Sequence, residues 1–151
     1  GFPAKLILIG REAELSQFMS NVPENIQEQI EYRGFKNPED LPEEFARADV
    51  FILPSQYDGW GVVVNQALGS GMPVIVSDAV GAGYDLVAND KNGYVFPCGD
   101  SVALSEALKK YVQSESLLSE HSTASKQLAD EWAPESGAER FVNLITEVNE
   151  S

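Results

Sequence analysis

Short aliphatic runs, each cut off by glycine or proline and separated by stretches of helical spacing, constrain this chain more than any other feature. Leu6-Ile7-Leu8-Ile9 stops at Gly10, and Val50-Phe51-Ile52-Leu53 stops at Pro54. Runs this short and this uniformly apolar fit strands buried on both faces of a parallel sheet. Ile30 to Phe35, broken by Gly34, is a further candidate, as are Val74-Ile75-Val76 and, after the Asn92-Gly93 turn, Tyr94-Val95-Phe96. The stretch from about Glu12 to Asn21 reads as polar and moderately helical. Asp40 is placed to cap a short helix whose Leu41, Phe45 and Ala48 recur at helical spacing. Gly61 to Ser70 reads as a helix closed by Gly71 and Pro73. After Phe96 the chain is helical, with one apolar stripe at Leu104, Ala107, Leu108, Tyr111 and Val112 and another at Ala138, Phe141, Ile145 and Val148. This alternation predicts an α/β fold, a parallel sheet with right-handed crossovers and helices on both faces.

The 151 residues suit one domain, and no repeat, low-complexity tract or interior linker divides them. A formal net charge of −14 argues against nucleic acid as a partner, because phosphate backbones need a basic face. It argues equally against electrostatic docking on anionic lipid. A small anion remains possible, since the amides at a helix start bind phosphate locally. One cysteine, Cys98, rules out an intrachain disulfide and suits a cytoplasmic setting; it reads as a structural thiol. No apolar run is long enough for a transmembrane segment. The chain lacks an initiator methionine and opens on the approach to a strand, so it is expected to be an excised fragment, with Gly1 a scar of that excision.

In parallel α/β sheets, ligands bind at the carboxyl ends of the strands, beside helix starts. The richest such place is Leu53 to Asp78, LPSQYDGWGVVVNQALGSGMPVIVSD. There a buried strand ends, a polar loop holds Asp58-Gly59, and a helix starts at Gly61. The amides of Gly59, Trp60, Gly61 and Val62 would face a cleft at a positive helix end. Glycines at 59 and 61 would let a ligand approach the backbone, as a diphosphate requires. The same residues also spell an ordinary tight turn, and spacing alone does not choose between the two.

The segment resembles the signature of the family 4-type retaining glycosyltransferases (glycosyl transferases group 1), which have a GT-B architecture of two Rossmann-like domains. The resemblance rests on Pro54-Ser55, Asp58, Gly61, Ala67, Gly71, Pro73-Val74-Ile75, Ser77-Asp78 and Gly81. Asn92 to Phe96 matches the element that follows, and Asp40-Leu41-Pro42 through Ala48-Asp49-Val50 the helix and strand that precede. The resemblance implies a Rossmann-like, nucleotide-sugar (donor) binding domain over residues 1–151, the carboxyl-terminal half of such an enzyme. It implies that Asp58 faces the hydroxyls of the donor sugar as the catalytic carboxylate, in place of the usual Glu and one methylene shorter. It further implies that the amides of Gly59, Trp60, Gly61 and Val62 bind the diphosphate and that Gln66 meets the ribose. The Gly34-Phe35 loop would then contact the base through backbone groups. Gln66 stands where the family has a second Glu; a neutral acceptor contributes about 1 kcal/mol against roughly 1.5–3 for a charged one.

The substrate implied is a nucleotide diphosphate sugar, with no metal and no other cofactor. The family's phosphate-binding Arg and Lys belong to a strand–helix unit upstream of Leu6, and its acceptor pocket to an amino-terminal domain. Neither is in this sequence, so the fragment is expected to be inactive alone and to partner that acceptor-binding domain within a longer parent. Alternative readings are a degenerate nucleotide-sugar binding or scaffold module, supported by Asp58 and Gln66 in place of two Glu residues, and a nucleotide-sugar epimerase. Of the remaining residues, Arg11 reads as a solvated loop charge and Ser55 as a loop hydrogen-bonder. Asp78 and Asp85 lack a ligand cluster at coordinating spacing. His121, in a late helix, reads as an exposed surface residue. Trp132 and Phe141 lie near helices that in the family return to the first domain, so part of their apolar surface is expected to be exposed.

Overall fold

The computed structural model describes residues 4–11 and 15–149. Contacts group the chain into two units, Gly1–Ala48 and Asp49–Ser151. All five expected strands are present and all pair in parallel, but the pairing forms two sheets instead of one: β1-β2 in the first unit and β3-β4-β5 in the second.

In the first unit, β1 (Leu6–Leu8) pairs with β2 (Ile30–Tyr32) in the register Leu6↔Ile30. Two short helices, α1 (Leu15–Ser20) and α2 (Glu24–Gln27), make the crossover. The helix expected from Glu12 is described only from Leu15; Glu12 to Glu14 lie outside the described residues. The second strand stops short of Phe35. Arg33 still donates its amide to the Leu8 carbonyl at 2.9 Å, and Gly34, at φ +70°, then turns the chain out of the ladder. A 3-10 turn over Pro38–Asp40 leads into α3 (Leu41–Phe45). Asp40 occupies the position before α3 but does not cap it. The chain is already turning there (φ −89°, ψ −17°), whereas capping needs an extended residue, and the carboxylate meets the Asn37 amide at 3.4 Å instead.

The second unit runs β3 (Phe51–Leu53), α4 (Val62–Gly69), β4 (Val74–Ser77), α5 (Ala82–Leu86), β5 (Gly93–Phe96), then α6 (Ser101–Gln113), α7 (Glu115–Glu131) and α8 (Pro134–Asn149). The central strand β4 is buried at every residue. Ile75, Tyr94 and Phe96 pack with Ala107 and Tyr111 of α6. Val76 and Val95 alternate to the other face, where α5 brings Gly83 against them. Helices thus cover both faces of this sheet, which is why its strands read as unbroken apolar runs. Asp100 caps α6 through the amides of Val102 and Ala103 (3.0 and 2.9 Å), and Ser114 caps α7 through Leu117 (3.2 Å).

Two further sequence expectations are overturned by burial. His121 is not a surface residue: it is 2% exposed, and its Nδ1 lies 2.7 Å from the Tyr111 hydroxyl. The helical face that carries it packs inward; the buried Tyr111 phenol partners one imidazole nitrogen, while Nε2 is buried without a hydrogen-bond partner among the described residues. Cys98 is not a buried structural thiol but an exposed one, just past the end of β5, with its amide donated to Asp78 Oδ1 at 2.8 Å.

Candidate functional site

The chain leaves β3 at Pro54 and crosses the carboxyl end of the second sheet before entering α4. Three backbone bonds strap this crossing to the loop after β4. Asp58 donates to Ala79 O (3.0 Å), Gly81 to Asp58 O (3.1 Å) and Ala82 to Trp60 O (2.7 Å). Deeper in, the Ser77 hydroxyl donates to the Ser55 carbonyl. The contact is close enough to require glycine: a Cβ on Gly81 would overlap the Gly59 carbonyl oxygen. Gly61 then enters α4 at φ +87°, a conformation most L-residues avoid, with its Cα facing Val80 and Leu53.

This geometry leaves a row of free donors. Among the described residues the amides of Gly59, Gly61, Val62 and Val63 have no partner, and Val64 is the first to bond back, to Gly61 O at 2.8 Å. These donors sit at a helix start, the arrangement that attracts anionic oxygen. Trp60 differs from the expectation that its amide is free: the N–H is donated to Asp58 Oδ1 at 3.2 Å. Asp58 thus holds the loop with one carboxylate oxygen, and Oδ2 has no partner among the described residues. Val63 was not among the residues picked out from the sequence; the end of the amide row becomes visible only once the first intrahelical bond is located.

The Trp60 side chain is anchored as well. Its indole N–H donates to Asn65 Oδ1 at 2.9 Å, and its ring lies 6.0 Å from that of Trp132, tilted by 38°. Gln66 is half-buried one residue along α4 and lines a cavity of about 250 Å³ with Asn65, Leu86, Leu128 and Trp132. Asn65 approaches Trp60 from the first turn of α4, whereas Trp132 carries no local signature and its approach depends on how α7 packs on α4.

Gly34 and Phe35 belong to the first unit. Arg33 and Lys36, which bracket them, both reach Glu44 at 3.1 Å, and Glu44 is only 7% exposed. The Lys36 hydrogen bond, against the opposing effect of burial and with help from Arg33, holds the Glu44 carboxyl below its ordinary range. Phe35 is exposed at 59% with the Arg11 guanidinium 5.4 Å from its ring centre, so Arg11 does more than sit in solvent. A cavity of about 350 Å³ in this unit is lined by Arg11, Leu15 and Tyr32 among others, and by neither Gly34 nor Phe35.

Among the described residues there is no group of three or more His, Cys, Asp or Glu side chains able to hold a metal, and no helix long and apolar enough to cross a membrane. Trp132 is 44% and Phe141 65% exposed, and Val142, Leu144, Ile145 and Val148 extend that surface along α8.

The family model described as glycosyl transferases group 1 matches residues 3–128. No curated protein matches the sequence at a comparable level. Of solved structures, sucrose-phosphate synthase from Thermosynechococcus elongatus superposes with a TM-score of 0.79 at 19% identity, over 97% of this chain and 39% of its own. The Anabaena protein HepE, in complex with UDP, gives 0.81 at 18% identity, over 95% and 41%. WaaG, a glycosyltransferase involved in lipopolysaccharide biosynthesis, gives 0.73 at 21%, over 83% and 34%. At such identities the likeness is one of fold. The chain spans less than half the length of each of these proteins.

Proposed function

The chain belongs to the glycosyl transferases group 1 family, and on that premise we propose that it is the donor-binding, carboxyl-terminal half of a retaining hexosyltransferase. The parent transfers a hexosyl group from a nucleotide diphosphate sugar to a hydroxyl acceptor, on the cytoplasmic side and without a metal. The observation that carries this reading is the row of unpartnered amides from Gly59 to Val63, interrupted only at Trp60, at the start of α4. Such donors are fixed before the ligand arrives, so they stabilise the charge that develops on a departing diphosphate without reorganising. Asp58 Oδ2 meets the hydroxyls of the donor sugar and Gln66 the ribose. The UDP in the HepE structure accords with a nucleotide-sugar donor. The acceptor binds in an amino-terminal domain of the parent.

A titration of amide shifts with UDP, GDP and ADP tests the donor site. Localised changes at Gly59, Gly61 and Val62 with one nucleotide are expected, and that nucleotide names the base. Silence at millimolar nucleotide, in this chain and in the full-length parent alike, would remove the reading. Two observations favour the second reading, a binding module without transfer activity: Asp58 Oδ1 is committed to the loop, and position 66 carries no charge. A parent that binds the nucleotide sugar yet neither transfers nor hydrolyses it would establish that reading instead.

A further inference from the structure

We propose that Trp132 is a positioning residue for the donor loop, acting through Trp60 from the junction of α7 and α8; the proposal rests on the donor-binding reading above. Trp60 stands between Gly59 and Gly61, the two residues whose free amides begin the donor row, so whatever fixes Trp60 fixes the aim of both. Three of its restraints come from the loop's own neighbourhood: its amide on Asp58 Oδ1, its carbonyl on the Ala82 amide and its indole N–H on Asn65 Oδ1. The fourth, the ring of Trp132, comes from the distant end of α7. It is the one ring contact that holds the indole face among the described residues, whereas Asn65 holds only its nitrogen.

Trp132 is itself well placed to act as a stop. Its amide bonds back to the carbonyls of Leu128 and Ala129 at 3.1 and 3.2 Å, which closes α7, and Pro134 opens α8 two residues later. The ring also lines the cavity that Gln66 lines. One side chain outside the signature therefore borders both Trp60 and the residue assigned to the ribose. Trp132 is 44% exposed, and the covered part of its ring keeps its contact with the other indole. Ring pairs at this separation are worth enough to change an equilibrium roughly two- to tenfold beyond the area they bury.

The test compares Trp132→Ala and Trp132→Phe with the wild-type chain, by amide spectra without ligand and by titration with UDP. The chain has two tryptophans, so in the Trp132 variants the remaining indole signal is that of Trp60. In Trp132→Ala the Gly59, Gly61 and Trp60 indole resonances should shift or broaden and the indole proton should exchange faster. The dissociation constant for UDP should rise roughly two- to tenfold, and Trp132→Phe should recover most of both effects. Should the alanine variant fail to fold, Trp132→Leu, apolar but without a ring, takes its place with the same expectations. A variant that melts earlier yet leaves those resonances and the dissociation constant unmoved would make Trp132 a plain packing residue and overturn the proposal. If neither the wild-type chain nor the full-length parent binds nucleotide, the donor reading fails separately, and the ligand-free spectra still decide whether Trp132 sets the loop.

Discussion

Gly59 and Gly81 lie in one contact, but only one of them should tolerate a methyl group. A Cβ built on Gly81 overlaps the Gly59 carbonyl oxygen and crowds the Trp60 Cα, whereas a Cβ on Gly59 meets nothing within 4 Å. Neither residue has a positive φ, so backbone strain does not confuse the comparison; Gly81, at φ −56° and ψ −45°, already has helical angles that alanine prefers. Gly81→Ala must therefore push the two loops apart, and the bonds on either side of the clash, Gly81 to Asp58 O and Ala82 to Trp60 O, are the ones at risk. At about 0.5–1.5 kcal/mol each, their loss destabilises the chain by about 1–3 kcal/mol. For a chain of this size that lowers the melting temperature by about 2–12 °C. Gly59→Ala should stay within about 0.5 kcal/mol of wild type, as open surface substitutions do. Thermal and urea unfolding of the two variants side by side makes the measurement. Equal melting temperatures for Gly81→Ala and Gly59→Ala would refute the strap as a stabilising contact.

Burial pushes the His121 imidazole below its ordinary value of 6.5, against the opposing pull of Asp90 and Glu120 and with help from Lys110. Just below pH 6.5 the unfolded chain then binds a proton that the folded chain refuses, so stability falls as the pH drops, by up to about 1.4 kcal/mol per pH unit. His121 is the only histidine, so its ring-proton titration isolates the group, and a midpoint at or above 6.5 would contradict this burial argument. Gln66→Glu supplies a charged acceptor where the ribose is expected and should tighten nucleotide binding by roughly 1–2 kcal/mol, measured by calorimetry; an unchanged affinity would place Gln66 away from the ligand.

The central strand β4 was legible because it is buried at every residue and reads as an apolar run opened by Pro73, whereas β1 and β2, which are partly exposed, were legible from apolar positions ended by Gly10 and Gly34. The signature loop was legible because its glycines and its acidic residue are close in sequence. What escaped notice depends on distant packing. Nothing near His121 announces that its helix face turns inward onto Tyr111. No property of Trp132 announces Trp60, and the division of five parallel strands into two ladders has no mark in any single strand. Asp40 failed as a cap for a different reason: the preceding 3-10 turn had already set its backbone, and cap preference applies only to a residue that arrives extended.

Asp58 is asked to do two things with one carboxylate, and they can be separated. Oδ1 accepts from the Trp60 amide and keeps the loop folded, while Oδ2 is unpartnered among the described residues and is the atom proposed above to meet the donor sugar. Asparagine retains a carbonyl oxygen that can occupy the Oδ1 position, but it is neutral and presents donors where Oδ2 stood. Asp58→Asn should therefore leave the Gly59, Trp60 and Gly61 amide shifts and the nucleotide affinity close to wild type. In the full-length parent it should lower turnover by at least tenfold, since a charged contact to the sugar is worth roughly 1.5–3 kcal/mol. Asp58→Ala removes both functions and should disturb the loop shifts, the affinity and the turnover together. The ordering matters more than either number: equal turnover losses with equally disturbed loops in both variants would mean that Asp58 only folds the loop, and the sugar contact would have to be sought elsewhere.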